Sequence, residues 1–252
     1  MTDKIHKTKG IVLRNVKYGE TSLIVAVYTE LFGLQSYLLN GIRTTSKKGA
    51  NKAAFFQPGA ILDMEVYHNE FKQLNRVKEY RWSYMYQNVF TDVLKNGVAA
   101  YMIELLSKCL HQPESNYGLF GFMEDCLLLL DSCTDKVMAN FPVFFATHLT
   151  AFFGFSPRSA TPEVLQSDRM LFDIEEGCFT TETVFHSRYL ERKSALVLAE
   201  LLQTRHPQEL AEINANAQIR RQILDAMEYY YSLHLQNFGK MKTLPVLKEL
   251  MA

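Results

Sequence analysis

Between Asn40 and Phe56 the chain reads NGIRTTSKKGANKAAFF, with four cations (Arg43, Lys47, Lys48, Lys52) and no carboxylate. Such a run suits one chemistry, the electrostatic capture of a polyanion such as nucleic acid. Gly41 and Gly49 leave its backbone free to follow different anion shapes. Earlier cations, Lys7, Lys9, Arg14 and Lys17, extend the track, and Tyr18, Tyr37 and Phe55 offer rings on which bases could stack. A cationic groove with aromatic platforms is a common way to hold a single strand. The competing reading is a solvated basic loop, with the tyrosines serving as core.

Other chemistries fit the sequence less well. The cysteines (Cys109, Cys126, Cys133, Cys178) form no closely spaced pair, and neither do the histidines, so the ligand spacing of a structural zinc is missing. Cys126 and Cys133 lie two turns apart on one helix face, the spacing of core residues. Neither a metal nor another cofactor is expected. Carboxylates cluster at Glu124-Asp125 and Asp173–Glu176, but no GxSxG, Walker A or HExxH motif accompanies them. His148 falls on an apolar helix face, where core is the simpler role. The expectation is therefore a protein that is not an enzyme. Two alternatives stay open: a metal-dependent enzyme acting on nucleic acid, and a helical scaffold without DNA affinity.

The elements that must carry these residues differ along the chain. Formal net charge is zero, yet residues 1–83 hold 13 Lys and Arg against 7 Asp and Glu, and the remainder holds 14 against 20. This split predicts an α+β chain of two domains with different partners. Residues 1–83 alternate apolar and polar side chains in five short runs, from KGIVLRNVKYGE to LNRVKEYRWSYM, punctuated by glycines. They predict a five-stranded OB-fold barrel, with the cationic stretch in the connection between strands three and four. Residues 84–252 change to a helical period and predict an all-α domain, with an irregular insert at about 155–186. Ser115 suits an N-cap. Pro142 and Gly154 bracket a helix whose buried face is Phe141, Phe144, Phe145, His148, Leu149 and Phe152. MLFDIEEGCFT suggests a small hairpin, and two more helices are expected over 188–203 and 207–236. The N-terminus lacks an apolar signal-peptide core, and no run approaches the ~20 apolar residues of a membrane span. A cytoplasmic protein is the expectation.

Several motifs together carry a family resemblance. Gly10-Ile11-Val12-Leu13, Tyr18-Gly19-Glu20-Thr21, Thr29-Glu30 followed by Gly33, and Asn40-Gly41-Ile42-Arg43 resemble the N-terminal signature of the RecO family of DNA repair and recombination mediators. Phe141, His148-Leu149, Phe153–Pro157, Phe172–Gly177, Ile219-Arg220-Arg221, Tyr231, Leu233-His234 and Lys240–Leu244 resemble its later segments.

The resemblance implies an OB barrel followed by a helical domain in a bacterial, nucleoid-associated protein. It implies binding to single- and double-stranded DNA, annealing of complementary strands, and help in loading recombinase onto strands coated with single-strand-binding protein (SSB). The implied partners are RecR and the acidic, apolar C-terminal tail of SSB. Such a tail needs an apolar pocket rimmed by cations, for which Lys108, Arg188, Arg192 and Lys193 are candidates. The sequence departs from the family at one place. Many members carry a four-cysteine zinc module after the central helix, whereas residues 155–182 here hold only Cys178. The expected consequence is loss of the metal, with packing in its place.

Overall fold

In a computed structural model that describes residues 4–43 and 52–251, β1 (Lys4–Tyr18) is long enough to serve two partners. Its first half pairs antiparallel with β4 (Ile61–His68), from Lys4↔His68 to Ile11↔Ile61. Its second half pairs with β2 (Ser22–Thr29), out to Tyr18↔Ser22. The register shifts between Val12 and Arg14, and such an irregularity bends a strand from one partner toward the next. β3 (Gly33–Leu39) pairs with β2 and, in parallel through Tyr37↔Asn75 and Leu38↔Arg76, with β5 (Asn75–Trp82). β5 returns to β4, which closes a barrel of order β1-β2-β3-β5-β4, the expected OB arrangement.

Strand alternation fills this barrel. Ile11, Val25, Val27, Tyr37, Ile61 and Val66 are fully buried. Gly10 has to be small: a Cβ there would lie 2.6 Å from Val27 Cγ1 and 3.0 Å from Met64 Sδ.

The chain forms two compact units, and they do not divide at one point. The described part of Met1–Gln87 joins Leu110–Leu128, and Asn88–Cys109 joins the described part of Leu129–Ala252. The pattern in the sequence suggested a single boundary after residue 83. The extra piece of the first unit contains most of helix α2 (Tyr117–Ser132). Tyr28 Oη donates to the Asn116 carbonyl at 3.2 Å, and the Tyr28 and Phe120 rings lie 6.0 Å apart. Asn116, not Ser115, caps α2, its Oδ1 accepting from the Leu119 amide at 2.9 Å.

In the second unit α1 (Val93–Cys109) precedes α3 (Asp135–Leu149), and α3 is buried at nearly every position from Val137 to Leu149. A helix apolar all round belongs in a core. It begins earlier than expected, so Pro142 sits in its interior rather than near its start. His148 is structural: Nε2 meets the Leu201 carbonyl at 2.9 Å, and burial lowers its pKa. The short α4 (Pro162–Gln166) leads to a hairpin of β6 (Leu171–Asp173) and β7 (Cys178–Thr180), where one was expected. β8 (Tyr189–Leu190) adds a third strand to it, so this unit is helical with a small sheet. Helices α5 (Arg192–Gln203), α6 (Ala217–His234) and α7 (Thr243–Leu250) complete it. Glu104 of α1 accepts from both backbone amides and the hydroxyl at Lys242-Thr243. Desolvation opposes ionisation of Glu104, but these hydrogen bonds prevail and hold its carboxyl below the usual range. No helix among the described residues is long and apolar enough to cross a membrane.

Candidate nucleic-acid interface

The cations of β1 divide with its pairing. Along the first half, β4 and α2 supply carboxylates. Lys7 Nζ lies 3.5 Å from Glu65, which also holds Lys78 at 2.9 Å, and Lys9 Nζ lies 2.7 Å from Glu124. Arg81 of β5 pairs with Asp63 of β4 at 3.0 Å. The Glu124 hydrogen bond raises the Lys9 pKa against the effect of burial. On this face the cations have carboxylate partners.

The second half has no such neighbours. Arg14, Lys17 and Tyr18 are exposed, and among the described residues Arg14, Lys17, Arg43 and Lys52 form no ion pair. The turn after Tyr18 is tied to the cationic connection, because the Arg43 amide donates to the Thr21 carbonyl at 2.9 Å. Asn15 Nδ2 donates to the Phe56 carbonyl at 2.7 Å. Strand alternation puts Lys17 on the same face of β1 as Asn15, toward the short 3-10 turn Ala54–Phe56. On that turn Phe55 stacks on Trp82, with ring centres 4.7 Å apart and 22° between planes, and meets Tyr80 edge-on at 5.3 Å. Trp82 was not among the expected residues. Its ring joins Phe55 only because β5 ends where the connection returns to the barrel, and no local spacing signals that.

The expected residues therefore fall into groups. Arg14, Lys17 and Tyr18 lie on the second half of β1, and Arg43, Lys52 and Phe55 lie on the β3–β4 connection. Lys7 and Lys9 lie on the paired face. Tyr37 is 0 % exposed, so it is barrel core and not a base platform. Its strand position points inward, and burial pushes its phenol pKa far up. Lys47 and Lys48 lie outside the described residues.

The four cations of the helical unit are not gathered into one rim. Lys108 donates to the Phe238 carbonyl and sits 5.2 Å over that ring. Arg192 donates to the Ser167 carbonyl at 3.1 Å, and Lys193 is exposed. Arg188 lies 4.4 Å over the Tyr229 ring and is the one member that lines a cavity of about 420 Å³, together with Tyr189, Leu190, Glu191 and Asp225. Cys178, half-buried on β7, is the sole thiol of its segment, and one thiolate does not fit a four-ligand zinc site. The hairpin around it is packed by Phe172, Phe179 and Tyr230, with ring centres 4.9 and 6.5 Å apart along that row. Among the described residues no three His, Cys, Asp or Glu are grouped to hold a metal.

Two family models match the chain, one on each side of a single point. Residues 1–86 match the model "Recombination protein O N terminal", and residues 91–244 match "Recombination protein O C terminal". The chain is 32% identical over 247 residues to the DNA repair protein RecO of Flavobacterium johnsoniae, covering 97% of this chain and 98% of that one. It is 33% identical over 243 residues to the protein of the same name from Christiangramia forsetii (96% and 98% covered). To that from Phocaeicola vulgatus it is 30% identical over 250 residues (98% and 99% covered).

Proposed function

The chain belongs to the recombination protein O family of DNA repair proteins, and from that premise we propose that it is a non-catalytic recombination mediator. It binds single- and double-stranded DNA, anneals complementary strands, and with RecR helps load recombinase onto SSB-coated strands in the cytoplasm. The observation that carries this reading is the set Arg14, Lys17, Arg43 and Lys52, without ion pairs among the described residues, beside the Phe55–Trp82 stack.

Annealing requires two strands to approach against phosphate repulsion while their bases stay available. Cations standing free of carboxylates supply the first requirement, because each phosphate they neutralise releases counterions. Lysines act as point charges that fix no base edge, which supplies the second. Lys47 and Lys48 continue the run by sequence. Lys7 and Lys9 would have to leave Glu65 and Glu124 before meeting a phosphate, so their role is smaller.

The helical unit, acidic by composition, is the protein-docking part in this reading. Arg188, lining the cavity with Tyr189 and Leu190, is the member best placed to meet the SSB tail, while Glu191 and Asp225 oppose it. The zinc module of other members is replaced by packing of Phe172, Phe179 and Tyr230.

Annealing of labelled complementary strands, with and without SSB, tests the whole reading. Acceleration in both conditions supports it. Failure to bind either strand or duplex at low salt would overturn it, and cleavage of the DNA with divalent metal would replace it with an enzyme. Calorimetry with an SSB tail peptide tests the docking role, which no heat of binding would remove.

A further inference from the structure

The barrel end opposite the cationic turn holds a cavity that the cations do not reach. It has a volume of about 540 Å³ and is formed at the β4–β5 turn, at the start of β3 and by the residues just before α2. Its wall is aromatic. Phe32 stacks on His68 with ring centres 3.8 Å apart and 14° between planes, and His6 backs both rings edge-on at 5.2 and 6.2 Å. Phe71, also in the lining, keeps 85% of its surface exposed. The backbone that carries it is held in a turn, for the Phe71 amide donates to Asn69 Oδ1 at 3.0 Å.

The polar lining points to one class of ligand. Its carboxylate, Glu70, and its ammonium, Lys72, cancel, which disfavours a phosphate or an acidic peptide. Gln73 and Gln112 add amide donors and acceptors. His68 Nδ1 is buried without a hydrogen-bond partner. Burial, and then the neighbouring His6, lower the pKa of that imidazole, so the wall carries no added positive charge there. A flat neutral ring with a hydrogen-bonding rim, a nucleobase, fits both the aromatic wall and the amide groups of the lining.

We propose that this cavity holds one unstacked base of a DNA single strand whose phosphates lie at the Arg14–Lys52 end of the barrel. The inference rests on the DNA-binding reading above and adds a site to it. β3 links the two places: Leu34, Gln35 and Ser36 line the cavity, and Leu39 leads into the turn that ends at Arg43. At ~3.3 Å per residue β3 spans roughly 20 Å. That is within reach of a strand when one such barrel covers about 4–16 nucleotides.

The test uses the full chain with labelled oligo(dT) and a labelled duplex over a series of salt concentrations. Phe71 is exposed, so truncating it leaves the core intact. Phe71→Ala should weaken single-strand binding about five- to a hundredfold, the effect of losing one stacked base. It should leave duplex affinity and the salt slope as in the parent. Parental single-strand affinity in Phe71→Ala, or equal loss on strand and duplex, overturns the proposal. If the Arg14/Lys17/Lys52→Ala triple loses binding while Phe71→Ala keeps it, only the cavity fails. If the parent binds neither DNA, the function reading fails with it.

Discussion

The two halves of β1 carry the same kind of side chain in opposite circumstances. Lys7 and Lys9 stand where β4 and α2 present Glu65 and Glu124, and their charge is used within the molecule. Arg14 and Lys17 stand where β1 pairs with β2 alone, opposite Ala26 and Leu23, and their charge faces solvent. Whether a basic residue is available to a polyanion is thus decided by the strand beside it, not by its own type. A DNA track drawn evenly along β1 would overstate the first half.

The contrast can be broken most directly by removing the free cations. The Arg14/Lys17/Lys52→Ala triple should lower the single-strand salt slope by about 2 and affinity about a hundredfold in 0.1 M salt. Fluorescence anisotropy across a salt series measures both, and an unchanged slope would make these residues a solubility device. Next in size, Phe55→Ala should cost about 1–3 kcal/mol of single-strand binding if the Phe55–Trp82 stack receives a base, with the salt slope unchanged.

The paired half is tested through stability. Lys9→Met should cost about 0.5–1 kcal/mol in urea melts and shift DNA affinity less than twofold. The Lys9 pKa is raised above 10.5 in the folded state, so its contribution is full below about that pH and fades as pH rises through the folded value. Parent and Lys9→Met should therefore converge in stability in strong alkali. A smaller effect distinguishes core from platform. Tyr37 Oη is buried without a partner, so Tyr37→Phe should leave DNA binding unchanged and raise stability by about 1 kcal/mol. Smallest of all, chelation with EDTA should not move the melting temperature if packing alone holds the segment around Cys178.

Much of this was legible in the sequence. Alternation marked five strands, and the glycine-punctuated gap between Leu39 and Ile61 marked the long connection carrying the cations. The apolar run around Phe141–Leu149 marks a buried helix, although its start lies before Pro142, a residue that by type suits a first turn and here sits in the interior. The partners of the basic residues were not legible. Lys9 and Glu124 are 115 residues apart, and nothing local to either announces the other. Tyr18 and Tyr37 look equivalent as strand tyrosines, yet one is 54% exposed and the other fully buried.

By itself, then, the sequence determined the order of elements, the basic character of the barrel and the missing zinc ligands, because periodicity, charge and ligand count are local or additive. Tertiary structure alone decided which cations stay free, which aromatic rings meet, and that residues 110–128 belong with the barrel. Those are pairings between distant segments, and their energies depend on what closure of the sheet brings within a few ångströms. The stretch from Asn40 to Phe56 shows both contributions: its charge is written in its residues, whereas the lack of ion pairs at Arg43 and Lys52 among the described residues is a matter of tertiary structure.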